Sequence, residues 1–163
     1  MHETERLATQ LENSMNGNAW YGPAFLEALR GVTAAQATAR PIPGWKSIWE
    51  IALHAIVWND VALRRLGGDI AEFEIGGPED WPAPPGDEAG WQATIERLRT
   101  RNAMLAATTR TLDFERLDEP IVPKYSSCYQ HLQGVVQHNA YHAGQVVALK
   151  RAMGLPAIAP AQP

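Results

Sequence analysis

Ser47-Ile48-Trp49-Glu50 opens the segment that most restricts what this chain can fold into. A Ser whose hydroxyl caps a helix, with a Glu three residues on that reaches back, is a capping box. Behind it come Ile51, Ala52, Leu53, Ala55, Ile56, Val57, Trp58, Val61 and Leu63, before the helix ends near Arg65 at Gly67-Gly68. A helix apolar on almost every side has no face to offer to water, so it belongs in the middle of a bundle.

The rest of the chain supplies helices to surround it. Leu7, Leu11 and Met15 recur at helical spacing between Thr4 and Asn16, and Asn16-Gly17-Asn18 breaks that segment. Helical character resumes from Trp20 to Leu29 with Pro23 near its start, Thr33 to Arg40 adds a short turn, and Pro41-Ile42-Pro43-Gly44 ends it. A third long helix is predicted from Asp87 to Leu112, on Trp91, Ile95, Leu98, Leu105 and Leu112. Ser127 and Gln130 form a second capping box, and the last helix runs from there to Met153, with Gly154 and Pro156 beyond. No strand alternation of useful length appears. Gly76 to Asp87, rich in Gly and Pro around Trp81, reads as a long structureless loop between helices two and three, suited to a lid or a partner contact. Asp113 to Tyr125, with Pro120 and Pro123, reads as a second irregular connection. The pattern predicts an all-α four-helix bundle, one domain over residues 1–163.

Composition excludes several functions. With 14 basic and 18 acidic residues the net charge is −4, and no cationic run exceeds Arg64-Arg65, so a nucleic-acid partner is not expected. No apolar run reaches the length of about 20 residues that spans a bilayer, and the polar start Met1 to Arg6 does not read as a signal peptide. The single cysteine, Cys128, forms no internal disulfide. A cytoplasmic location is the expectation.

His138-Asn139-Ala140-Tyr141-His142 carries the chemistry. Histidines four apart on a helix share a face, and a third, His54, lies in the central helix. At about 100° per residue, His131, His138, His142, Gln145 and Leu149 fall in one stripe of the last helix, with Gly134 and Val135 flanking it and Tyr141 at its edge. Glu50, Ile51, His54, Trp58 and Val61 share one side of the central helix. Buried imidazoles need partners, and a metal ion is one solution; histidines satisfied in the core are the other. His-x-x-x-His alone is a weak signal, and Asn139 stands where a zinc protease has its Glu general base. Trp58, His131 and Tyr141 are candidate pocket residues. His131 lies about 10 Å along the axis from His138, too far to share its ion. Glu50 is a candidate general base, although its cap explains it equally well, and Gln145 is a candidate for orienting a water or His142. Cys128, at a helix start where a thiol pKa is lowered, is too far along the axis to be a ligand.

Leu53-His54-Ala55-Ile56-Val57-Trp58 followed by His138-Asn139-Ala140-Tyr141-His142-Ala143-Gly144-Gln145 resembles the DinB-like superfamily. Asn16 to Trp20, Pro43-Gly44 and the Arg151 to Pro156 ending extend the resemblance over nearly the full length. It implies a four-helix bundle with His54, His138 and His142 as ligands of a divalent metal, zinc or nickel. Related branches include S-transferases that use low-molecular-weight thiols, thiol-dependent isomerases and metal-dependent hydrolases. The implied function is a metal-dependent enzyme of thiol S-transferase or hydrolase type, acting on a small molecule such as a low-molecular-weight thiol. The alternative is a non-catalytic metal-binding or stress-associated protein. Many members carry Arg where this chain has Ala143, which removes an anion or partner contact. Related bundles pair, so a homodimer is expected, with helix three and the loop around Trp81 as candidate surfaces.

Overall fold

The structure, a computed structural model, describes residues 2–70, 72, 74–122 and 126–158. Its helices are α1 (Glu3–Asn16), α2 (Phe25–Leu29), α3 (Ala34–Thr38), α4 (Ile48–Leu66), α5 (Glu88–Arg110) and α6 (Cys128–Ala152). α1, α4, α5 and α6 are the four long helices of the predicted bundle. α1 packs on α5 and α6, and α4 packs on α5 and α6. Both predicted capping boxes form, with Ser47 Oγ accepting from the Glu50 N–H and Ser127 Oγ from the Gln130 N–H. Thr33 caps α3 in the same way.

α4 is buried as its composition requires, with Ile48, Trp49, Ile51, Ala52, Ala55, Ile56, Val61, Ala62 and Leu66 in the interior. One core cluster gathers Trp49, Trp91, Phe25, Ile51 and Leu149, and a second gathers Leu7, Leu11, Leu66, Leu105 and Leu132. Asn139 is fully buried between the helices, where its amide donates to Ser14 Oγ at 3.0 Å. The residue that replaces the protease Glu is therefore structural. Among the described residues, no helix is long and apolar enough to cross a membrane.

Three local expectations are corrected. Residues 20–24 do not join a helix: Asn18 has φ 62° and Gly22 φ 136°, so α2 begins only at Phe25 and Trp20 is fully exposed. The connection after α5 is not wholly irregular, since Phe114–Leu117 form a 3₁₀ turn and β1 (Pro120–Val122) pairs antiparallel with β2 (Ser126–Ser127). A ladder this short leaves no alternation to read. The Pro123 to Tyr125 part of that connection lies outside the described residues. Cys128 is buried at the start of α6, and burial raises its thiol pKa, overriding the expected lowering at a helix start.

Candidate metal centre

Capping fixes where each imidazole points. Ser47 starts α4 so that His54 falls in its second turn facing α6, and the spacing of four puts His138 and His142 on the facing stripe of α6. The three rings converge. His138 Nε2 lies 3.0 Å from His54 Nε2 and 2.9 Å from His142 Nε2, and one ligand atom from each of the three residues lies within 4.8 Å of the others.

The far side of each ring decides which nitrogen is left as a ligand. His54 Nδ1–H donates to the Asp80 carbonyl oxygen at 2.9 Å, with the Asp80 carboxylate oxygen Oδ1 beside it at 2.8 Å. His142 Nδ1–H donates to Gln145 Oε1 at 2.7 Å. Both rings therefore turn an Nε2 lone pair inward. His138 Nε2 meets both lone pairs, and a single N–H there can satisfy only one. His138 Nδ1 is buried and has no hydrogen-bond partner among the described residues. Nitrogen lone pairs brought together at 2.9–3.0 Å repel unless a cation lies between them. Tetrahedral zinc at Zn–N 2.0–2.1 Å places its nitrogens about 3.3 Å apart, so a shift of a few tenths of an ångström fits the cluster to an ion. Three neutral imidazoles suit zinc, nickel, copper or iron and leave a position for a small molecule.

Burial, then the neighbouring imidazoles, hold His138 down to about 3, and burial is the main cause of the fall to about 4 at His142. His131 is pushed to about 4 by burial and by Arg65. His54 is also lowered by burial, against the opposing pull of Asp80. Such rings are neutral near pH 7, the state a ligand needs. Between about 6.5 and 4 the unfolded chain takes up protons that the folded protein refuses, so stability falls as pH falls. The metal-free protein should lose on the order of a few kcal/mol across that window. Urea midpoints at pH 7 and pH 4.5 measure it, and His131→Phe should flatten part of the slope.

Two residues that sequence reasoning did not assign to the site complete it. Asp80 is 2% exposed. Its Oδ1 accepts from Trp58 Nε1 at 3.0 Å and its Oδ2 from the Gly76 N–H at 2.8 Å, while its backbone holds His54. Trp81 stacks on His54 with ring centroids 3.9 Å apart and planes 4° from parallel. The Gly/Pro-rich loop therefore forms a wall of the site, with Trp81 packed on His54. A loop has no periodicity to flag such residues; the one available signal was Asp80 beside Trp81, the single aromatic of a Gly- and Pro-rich stretch.

The other predicted residues divide. Trp58 sits edge-on to His54, with ring centroids 6.2 Å apart. With His131, Val135, Ile75 and Trp81 it lines a largely apolar cavity of about 520 Å³ that has His54 and His138 in its wall. Tyr141 touches the opposite side, at 5.1 Å from the His142 ring, and lines a smaller cavity of about 390 Å³ with Lys46, Trp45 and Gln145. Glu50 is taken up: Arg40 Nη2 donates to both its carboxylate oxygens at 2.7 and 2.8 Å, and the Ser47 N–H donates at 2.8 Å. The capping role accounts for it, and it lines neither cavity.

A helical bundle with three inward imidazoles on two neighbouring helices defines a class of candidate metalloprotein. The chain belongs to the DinB superfamily, whose sequence profile matches residues 22–146 and so takes in all three histidines. α1 lies outside that match. No curated protein and no solved structure matches the chain.

Proposed function

We propose that this protein is a metal-dependent enzyme in which His54, His138 and His142 hold a divalent cation, zinc or nickel, and that its reaction is thiol S-transfer in preference to hydrolysis. The observation that carries this reading is the convergence of three Nε2 atoms, two of them fixed by Asp80 and Gln145, with His54 and His138 in the wall of an apolar cavity. A bound cation supplies Lewis acidity, lowering the pKa of a coordinated thiol or water. The chain's own residues do the rest. Asp80 and Gln145 keep the tautomers, Trp81 closes one face of His54 to water, and the cavity takes the body of a small molecule.

Transfer is favoured over hydrolysis because, among the described residues, no unengaged carboxylate base lines the site. Among the described residues lining the two cavities the only carboxylate is Asp80, already engaged by His54, Trp58 and Gly76. Hydrolysis needs a base to hand protons on, whereas a thiol becomes a potent nucleophile once ionised. Elemental mass spectrometry on protein purified without a histidine tag should find close to one zinc or nickel per chain. The loaded protein should turn over a low-molecular-weight thiol with a model electrophile. Tight metal without turnover would leave a non-catalytic metal-binding protein, and no metal after incubation with zinc and nickel would end the enzyme reading.

A further inference from the structure

Two cavities border the histidine cluster, and their walls carry opposite charges. The larger, about 520 Å³, has His54 and His138 in its wall, and among the described residues lining it the only side chain charged at pH 7 is Asp80. The smaller, about 390 Å³, has His142 in its wall, and the only charged side chain there is Lys46. Trp81 belongs to both walls. His54 stacks on one face of the Trp81 indole with centroids 3.9 Å apart, which leaves no room for another group on that face. Lys46 Nζ, 4.9 Å from the centroid of the same ring, therefore lies over the other face. Trp81 is a partition with an imidazole on one side and an ammonium on the other.

Lys46 is placed to receive an anion. Its side chain is 42% exposed, and its one carboxylate neighbour, Glu50 Oε1, lies 3.8 Å away, beyond hydrogen-bond length. Arg40 Nη2 already holds both Glu50 oxygens at 2.7 and 2.8 Å, so Arg40, Lys46 and Glu50 together keep one net positive charge. Two exposed aromatic rings stand on the same wall, Trp45 and Tyr141, the latter 63% exposed. Large exposed rings grouped beside a cation give a flat apolar body a surface to lie on. The larger cavity offers the reverse: an anion entering it meets the Asp80 carboxylate and no cation, and like charges brought together are disfavoured.

We propose that the two cavities seat two different reactants: an uncharged, apolar one in the larger cavity, and in the smaller an acidic one, its oxyanion on Lys46 and its flat body against Trp45 and Tyr141. The inference deepens the function proposed above and rests on it for the meeting of the two at the histidines. A transfer reaction needs two reactants held at once, and walls of opposite charge sort them. Lys46 is a compact point charge on a flexible stem, so a carboxylate and a phosphate monoester share the oxyanion chemistry that it recognises.

The test uses the metal-free full-length protein, so that an anion has no cation at the histidine cluster to bind. Tryptophan fluorescence is followed as 3-phenylpropanoate, 2-phenylethyl phosphate or 3-phenylpropanol is added. At least one anion should bind about fivefold or more tightly than the alcohol at low salt, and the tighter anion names the headgroup. Lys46→Met, which keeps an unbranched stem over Trp81 and removes the charge, should erase the preference, and Lys46→Arg should retain it. Decanol serves as the probe of the larger cavity, and saturating decanol should leave the affinity for the anion unchanged. Gly134 lines the larger cavity and a Cβ there meets nothing within 4 Å, so Gly134→Leu should fill that cavity, abolishing decanol binding and sparing the anion. Equal affinity for anion and alcohol, a preference that survives Lys46→Met, displacement of the anion by decanol, or no binding of either class below about 1 mM overturns the inference. Should Lys46→Met fail to fold by circular dichroism, Lys46→Gln replaces it, and loss of the wild-type preference in high salt is required as well. Metal stoichiometry is measured separately. Failure of metal binding therefore overturns the proposed function without touching the anion result, and failure of the anion result leaves the metal reading standing.

Discussion

Zinc affinity should fall about a hundredfold or more when His138 is replaced by Ala, a loss of about 2.7 kcal/mol or greater. His138 is the apex of the cluster, since its Nε2 is the atom that lies within 3.0 Å of both other rings. Removing it leaves His54 and His142 as two ligands from different helices. Competition with a chromophoric chelator gives the affinity. Asp80→Ala should cost less, about 10- to 100-fold, because it loosens His54 without deleting a ligand. A second readout separates ligand loss from misfolding. Zinc at a hundred times its Kd stabilises the wild type by about 2.7 kcal/mol, and that gain should vanish in His138→Ala while the metal-free variant still unfolds cooperatively. Should His138→Ala bind zinc as tightly as the wild type, the cluster is not a metal centre and the proposed function falls with it.

The site was legible where helical periodicity carried it. Capping boxes at Ser47 and Ser127 set the phase of α4 and α6, and phase alone brings His54, His138 and His142 onto facing stripes. Gln145 was legible for the same reason, one turn beyond His142. Asp80 and Trp81 were not, because the contact of a loop residue with a helix depends on the path of the whole chain between them, and twelve Gly- and Pro-rich positions from Gly76 to Asp87 encode no such path in their spacing. Glu50 shows the opposite limit. Its position on the His54 side of α4 permits a catalytic role, but its carboxylate is engaged by Arg40 and by the Ser47 N–H at the lead-in to α4. The start of α2 was misplaced because Pro23 suggested an early first turn, while Asn18 and Gly22, both at positive φ, hold the chain in turns and bends until Ala24.

Trp49→Ala should destabilise the protein by about 3–5 kcal/mol, the range for emptying a fully buried large aromatic site. Trp49 has no exposed surface. It packs edge-on against Trp91 with ring centroids 5.3 Å apart, and its indole N–H donates to Thr94 Oγ1 at 2.9 Å, so one side chain fastens α4 to α5 by shape and by hydrogen bond. Thr94 Oγ1 in turn donates to the Gly90 carbonyl at 2.8 Å and would keep that bond, so the loss comes mostly from packing. Urea unfolding at pH 7 measures it, with Trp49→Phe expected at roughly half the cost, since a ring remains against Trp91. Trp20→Ala is the internal control: Trp20 is fully exposed, and its loss should stay within about 0.5 kcal/mol. The consequence for the site is specific. Trp49 holds α4 from the α5 side and His54 faces α6, so Trp49→Ala lowers the stability of the scaffold without removing a ligand. Saturating zinc should therefore restore about the same increment of stability to Trp49→Ala as to the wild type. A Trp49→Ala protein that folds normally but gains nothing from zinc would show that the geometry of the three histidines depends on α4 being clamped against α5, and not on Asp80 and Gln145 alone.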